Sequence, residues 1–116
     1  MGGDTIRLAA GNELHEVDVR ARDGQSEFSP DRISVRPGDA LRFITGDGRG
    51  HALAFDAWTL SDTASAYLDR TGQRRGPPLL SAGAIWIITM EAAPEGEYRV
   101  TCLVHGATMR VLVASL

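Results

Sequence analysis

The 116-residue chain contains one cysteine and no lysine, so all twelve of its basic residues are arginines, set against fifteen acidic residues. A single cysteine excludes an internal disulfide and any binuclear centre that needs two thiolates from one chain. The net charge is −3 without a run of like charges, which predicts no nucleic-acid partner. No stretch reaches the roughly eighteen apolar residues of a membrane span, and the first residues lack the pattern of a secretory signal. We therefore expect a soluble chain with no membrane-spanning segment.

Composition and length together predict a small globular protein. Apolar residues make up 43% of the chain and charged residues 23%, values typical of soluble globular proteins. The length suits one domain, so we predict a single domain spanning residues 1–116, with a monomer as the default state.

Short β-rich runs recur between turn signals, a pattern typical of all-β proteins. Seven or eight such runs without intervening helices favour a two-sheet β-sandwich over a parallel sheet. The turn Arg36-Pro37-Gly38-Asp39 has the proline and glycine of a type II turn and predicts a strand-turn-strand unit. The glycine-rich segment 46–50 is interpreted as a flexible loop. The predicted strands cover residues 5–8, 14–19, 33–35, 41–44, 52–55, 85–90, 98–102 and 109–113.

Residues 57–83 interrupt this pattern. Their periodicity fails, and they combine a possible short helix at 62–68 with a connection rich in glycine, arginine and proline at 72–78. We interpret the segment as an insertion, irregular or short-helical, that lies over one side of the sandwich.

Three soft or borderline metal ligands lie around one short loop, in the segment Thr-Cys-Leu-Val-His-Gly-Ala-Thr-Met that places Cys102, His105 and Met109. A thiolate, an imidazole and a thioether suit copper, and His51 supplies a second imidazole after the glycine-rich loop. Two histidines and a cysteine with a distant axial methionine are the ligand set of electron-transfer copper sites. The sequence therefore predicts one copper ion bound by His51, Cys102, His105 and Met109.

At these residues the sequence resembles the plastocyanin and azurin family of cupredoxins, over roughly residues 28–113 with the middle insertion unmatched. The resemblance also includes the segments 28–30, 35–39, 50–55, 80–83 and 96–98. It implies a cupredoxin-like Greek-key β-sandwich, with His51, Cys102 and His105 as equatorial ligands and Met109 as the axial one. Two features depart from the family pattern: three residues separate His105 from Met109, and Ala52 stands where many members carry an asparagine that ties the ligand loops together.

The resemblance implies a type 1 (blue) copper protein, not an enzyme, that cycles between Cu(I) and Cu(II) in an extracytoplasmic setting such as the bacterial periplasm. Protein redox partners are expected to dock near His105, against a patch of Leu103, Val104, Gly106 and Ala107. Two alternatives remain open: a module that stores, delivers or senses copper, and a metal-free cupredoxin-like interaction domain. A thiol enzyme is disfavoured because no third residue is evident to orient the imidazole of His105 beside Cys102.

Overall fold

The computed structural model describes residues 11–22, 25–48, 50–56, 58, 60–104 and 106–114. The strand predicted at residues 5–8 and the predicted ligand His105 lie outside these ranges. Within them the chain forms eight strands and one helix, in the order β1 (Leu14–Arg22), β2 (Gln25–Ser29), β3 (Arg32–Val35), β4 (Ala40–Thr45), β5 (Leu53–Phe55), α1 (Asp62–Thr71), β6 (Ile85–Thr89), β7 (Gly96–Cys102) and β8 (Thr108–Val113).

The eight strands form two mixed four-stranded sheets, which confirms the predicted β-sandwich. Sheet one has the order β2-β1-β4-β6, and sheet two has the order β3-β8-β7-β5. Each sheet contains one parallel pair, β1 with β4 and β3 with β8, and its other pairs are antiparallel. The parallel pairs join segments that are distant in sequence, so each sheet depends on long-range contacts.

The core lies between the sheets because apolar residues alternate along the strands. On β7 and β8 every second residue is buried, and the intervening residues face outward. Four aromatic rings connect the two layers, with Phe43 stacked on Trp86 at 5.4 Å and Phe55 in edge contact with Trp86 and Tyr98 at 6.0 Å. Such ring pairs add specific geometry to the burial of a large apolar area.

The predicted turn at residues 36–39 forms, but it joins strands of different sheets. Gly38 adopts a φ of 97°, as the third position of a type II turn requires, and the N–H of Asp39 donates to Arg36 O at 3.0 Å. β3 leads into the turn from sheet two, and β4 leaves it in sheet one. The turn is thus a crossover between the layers, and the expected strand-turn-strand unit is not a hairpin.

The buried side chain of Asp39 stabilises this crossover through hydrogen bonds. Its buried carboxylate accepts hydrogen bonds from the N–H groups of Arg36 and Glu13 and from the side chains of Asn12 and His15. Burial on its own raises the pKa of Asp39, but these hydrogen bonds outweigh it and hold the pKa well below its ordinary value. An alternating polar strand predicts an exposed side chain for His15, but the contact with Asp39 leaves His15 half-buried.

The predicted helix extends from Asp62 to Thr71 as α1. Ser61 caps its N-terminus by accepting from the N–H of Ala64 at 3.1 Å, and Gly72 ends it in the left-handed conformation. Its inward residues Tyr67 and Leu68 belong to the main core, so the segment predicted to lie over one side also completes the packing. At ten residues, α1 is too short for a bilayer, and no helix in the described ranges is long and apolar enough to cross one.

The chain after α1 runs along the open edge of sheet two. Phe55 N–H donates to Arg74 O at 2.8 Å, Gly76 N–H to Leu53 O at 2.9 Å, and Leu79 N–H to His51 O at 2.8 Å. These bonds satisfy backbone groups of β5 that would otherwise form an exposed edge. They also hold the backbone of His51, which lies two residues before β5.

Candidate metal centre

His51 is buried where the glycine-rich loop enters sheet two. Its backbone forms an isolated bridge with Leu79, in which His51 N–H donates to Leu79 O at 2.9 Å and its carbonyl accepts the return bond. The residue is 1% exposed, so the ring is held inside the protein. Both ring nitrogens face polar atoms: Nδ1 lies 3.9 Å from Sγ of Cys102, and Nε2 lies 2.9 Å from Oδ1 of Asp47.

Cys102 is the last residue of β7 and is fully buried. It pairs with Leu53 on β5, two residues after His51, and this register brings the two side chains together. The loop after it is closed by its own backbone, since Cys102 N–H donates to Ala107 O and Gly106 N–H donates to Cys102 O, each at 2.8 Å. These two hydrogen bonds therefore hold the backbone that carries the thiol at the end of β7.

The separation of Nδ1 and Sγ fits two ligands of one metal ion. Metal–nitrogen and metal–sulfur bonds in proteins are about 2.0 and 2.3 Å long, as measured for zinc. Their sum of about 4.3 Å slightly exceeds the observed 3.9 Å, so one ion can bond to both atoms at an open angle. A buried imidazole nitrogen and a buried sulfur are also the donor types that copper prefers, so the residues present fit the ion.

Asp47 orients the His51 ring and was missed by the sequence interpretation, which assigned residues 46–50 to a flexible loop. Its Oδ1 faces Nε2 and also accepts from Thr45 Oγ1 at 3.2 Å, while Oδ2 accepts from Ala21 N–H at 2.8 Å. The carboxylate thus links β1, β4 and the histidine. A proton on Nε2, held by Asp47, leaves the Nδ1 lone pair directed at Cys102. Asp47 precedes His51 by four positions, and this proximity is the feature of the sequence that could have indicated it as a partner of the histidine.

Met109 is fully buried on the inner face of β8. It lies opposite Val100 on β7, and Cys102 is two residues further along that strand on the same face. Met109 and Cys102 are therefore diagonal neighbours on adjacent strands, which brings long side chains within reach of each other. His105 lies outside the described residues, and among those described no three histidine, cysteine or carboxylate groups form a metal-binding cluster.

A backbone hydrogen bond connects the two loops that carry the predicted ligands. Leu103 N–H donates to Ala52 O at 2.7 Å, directly beside Cys102 and His51. The family pattern commonly places a tying asparagine at position 52, and here the main chain of Ala52 makes a connection that needs no side chain.

The surface around this end of the sandwich is apolar. Leu80, Leu103 and Val104 are 69%, 52% and 58% exposed, respectively, which is unusual for large apolar side chains in a small domain. Leu103 and Val104 follow Cys102 directly, and Leu80 follows the Leu79 that pairs with His51. Of the other predicted patch residues, Gly106 is exposed and Ala107 is half-buried. The buried centre therefore lies beneath an apolar surface.

Comparisons with known proteins agree with this architecture. The family model described as copper binding proteins, plastocyanin/azurin family, matches residues 15–114. A purple cupredoxin from Nitrosopumilus maritimus superposes with a TM-score of 0.63 at 17% identity, covering 86% of this chain and 99% of that protein. A reduced Cu(I) amicyanin variant gives 0.61 at 22% identity, over 92% and 86% of the two chains. Auracyanin from Roseiflexus castenholzii gives 0.57 at 15% identity, over 92% and 100%.

Proposed function

The chain belongs to the plastocyanin/azurin family of copper-binding proteins, and we propose that it binds one copper ion in a type 1 site and carries single electrons between protein partners. The residues that would hold the ion are His51, Cys102, His105 and Met109. The 3.9 Å approach of His51 Nδ1 to Cys102 Sγ inside the core is the observation that carries this proposal.

When bound, copper supplies the redox chemistry, a one-electron change between Cu(I) and Cu(II). The protein holds the ligands in place during that change. His51 is fixed by its bridge to Leu79 and by Asp47, and Cys102 is fixed by the closed loop from 102 to 107. Ligands that are held by the fold move little when the charge of the ion changes, which favours fast electron transfer. We assign the chain no catalytic reaction and, with its family, an extracytoplasmic setting.

The proposed docking surface for redox partners consists of Leu80, Leu103 and Val104, the last of which directly precedes His105 in the sequence. Exposed apolar side chains allow weak and short-lived association, which suits a carrier that must leave its partner after each transfer. A glutamate at position 104 is expected to slow electron transfer to a partner without changing copper binding. Unchanged transfer rates in that variant would remove this surface from the proposal.

The decisive experiment is a visible absorption titration of the metal-free protein with Cu(II). We expect an intense sulfur-to-copper charge-transfer band that saturates at one copper per chain and is absent from a Cys102→Ser variant. Two buried methionines supply a matched pair: Met109→Leu is expected to shift the band and the potential, and Met90→Leu is expected to change neither. A protein that folds but shows no such band would overturn the electron-carrier proposal and favour a domain used for binding.

A further inference from the structure

Three arginines form a row across the outer face of sheet two. Arg32 on β3 pairs with Arg110 on β8, and Arg110 pairs with Arg99 on β7. Residues in direct register project from the same face, and neighbouring strands are about 4.8 Å apart, so the three guanidinium groups extend from adjacent backbones. Their inward neighbours Val100 and Met109 are buried, which places the row on the opposite face from the proposed copper ligands.

This row costs the fold stability, because like charges directly opposite each other on paired strands repel. Among the residues that the structure describes, Arg99 alone of the three has a compensating partner, Glu97, whose Oε2 lies 3.1 Å from its Nε. Within the described part of the chain, Arg32 and Arg110 form no ion pair. The charge of Arg110, the middle of the row, is therefore not compensated by an ion pair within the described residues, in a chain whose net charge is −3.

The row lines a groove of about 460 Å³. Thr108 also lines this groove, together with Asp31, which precedes Arg32 in the chain, and Asp56, whose backbone is bonded to that of Arg99. The Asp56 N–H donates to Arg99 O at 2.8 Å, which fixes the backbones of these two lining residues relative to each other. The lining thus combines three guanidinium groups and one hydroxyl with two carboxylates.

We propose that this groove binds a compact oxyanion of the phosphate class, either free phosphate or a phosphate ester, centred over Arg110. Guanidinium groups and a threonine hydroxyl are donors that match phosphate oxygens, and charge-assisted bonds to them are strong. Because two carboxylates also line the groove, a small anion that contacts Arg110 and Thr108 fits it better than a broad acidic protein surface does. The proposal goes beyond copper binding and does not depend on it.

The test is a calorimetric titration of the copper-loaded protein with inorganic phosphate, at constant ionic strength set with sodium chloride. We expect saturable binding that Arg110→Gln weakens by about tenfold or more, the loss of a charged hydrogen bond. Arg70→Gln is the matched control because Arg70 is an exposed arginine on α1, far along the chain from the row, and its loss is expected to change affinity less than about twofold. Glycerol phosphate in place of phosphate distinguishes the two sources, since tighter binding identifies an ester.

Stability gives an independent readout that also checks folding. Phosphate is expected to raise the thermal midpoint of the wild type by more than that of Arg110→Gln, because a bound ligand stabilises the native state in addition to the general effect of the salt. Without phosphate the variant should unfold at or above the wild-type midpoint, since a like-charge contact is gone. Equal losses in Arg110→Gln and Arg70→Gln, or binding of a polyglutamate peptide in place of phosphate, would overturn the proposal.

Discussion

Asp47 and His51 are joined by a 2.9 Å contact between Oδ1 and Nε2, and the same carboxylate bonds to two strands of the other sheet. Because carboxylates that orient a ligand histidine strengthen metal binding, Asp47→Asn is expected to weaken Cu(II) affinity by about 10- to 100-fold. The loss of a negative charge beside the site also favours Cu(I), so the reduction potential should rise. Copper titration and cyclic voltammetry measure the two effects.

Asp69→Asn is the control for this variant, since Asp69 is an exposed aspartate on α1. It removes the same charge at a distance from the centre. Equal affinities and potentials in the two variants would show that Asp47 acts only through the net charge of the protein.

Asp39 predicts a loss of stability in acid. Its pKa in the folded state lies below the unfolded value of about 3.9, so its contribution is complete above that value. It is lost as the pH falls from the unfolded pKa towards and through the lowered folded pKa. In that range the unfolded chain binds a proton that the folded chain does not. Asp39→Asn is expected to cost about 1–3 kcal/mol at pH 7, because the new amide cannot accept from Arg36 N–H and His15.

Urea unfolding between pH 7 and pH 3 measures this effect. The wild type should lose stability more steeply than Asp39→Asn below about pH 5. Parallel curves for the two proteins would contradict the assignment of the acid-sensitive contribution to Asp39.

Gly76 and Trp86 lie so close that a Cβ on Gly76 would be 2.5 Å from Cδ2 of the indole. Trp86 is buried among Phe43 and Phe55 and has little room to shift. Gly76→Ala is therefore expected to cost about 1–3 kcal/mol, the usual price of overpacking a core. Gly48→Ala, where a Cβ meets nothing within 4 Å, should be close to neutral in the same thermal unfolding experiment. Equal midpoints would mean that the indole moves aside freely.

Tyr98 predicts a loss of stability in alkali. The phenol is fully buried, its hydroxyl donates to Pro94 O at 2.7 Å, and burial raises its pKa to about 12. The contribution is complete below the unfolded pKa of about 10 and is lost between about pH 10 and 12, where the unfolded chain ionises first. Tyr98→Phe should cost about 1 kcal/mol at pH 7 and reduce the alkaline loss.

The second buried tyrosine provides the comparison. Burial, together with the charge of Glu91, also raises the pKa of Tyr67, so Tyr67→Phe should remove a separate part of the alkaline loss. An alkaline transition that is identical in wild type and Tyr98→Phe would exclude Tyr98 as its source.

Periodicity and turn chemistry predicted most of the fold, and the features that were missed depend on contacts distant in sequence. β1 and β3 to β8 follow from β-rich runs and apolar alternation, and α1 includes the short helix predicted at 62–68. β2 was not predicted because Gln25–Ser29 contains one apolar residue, Phe28. The crossover at 36–39 was read as a local unit because nothing near the turn encodes the parallel partners of β3 and β4.

In the candidate site too, the residues that were predicted have a local sequence signal, and the residue that was missed depends on a distant contact. Cys102 and Met109 were predicted as ligands because they flank one short loop, and His51 because of its place in a family pattern, and the structure brings His51 and Cys102 together. Asp47 was missed because a Gly-Asp-Gly segment is typical of a mobile loop, whereas its carboxylate is held by Ala21, 26 residues away. The contact of His15 with Asp39 was not predicted either, because the two residues are 24 positions apart.

The two atoms that meet at 3.9 Å belong to residues 51 positions apart, and we expect this separation to set the order in which the centre is assembled during folding. β7 and β8 form a local hairpin, so we expect Cys102 and Met109 to come together at small entropic cost. We expect His51 to join them only after β5 has paired with β7, since chains dominated by such non-local pairings fold slowly, in milliseconds to seconds. A nascent chain would therefore carry an unshielded thiol until its last strands dock, so protection of Cys102 from a thiol reagent reports that folding is complete.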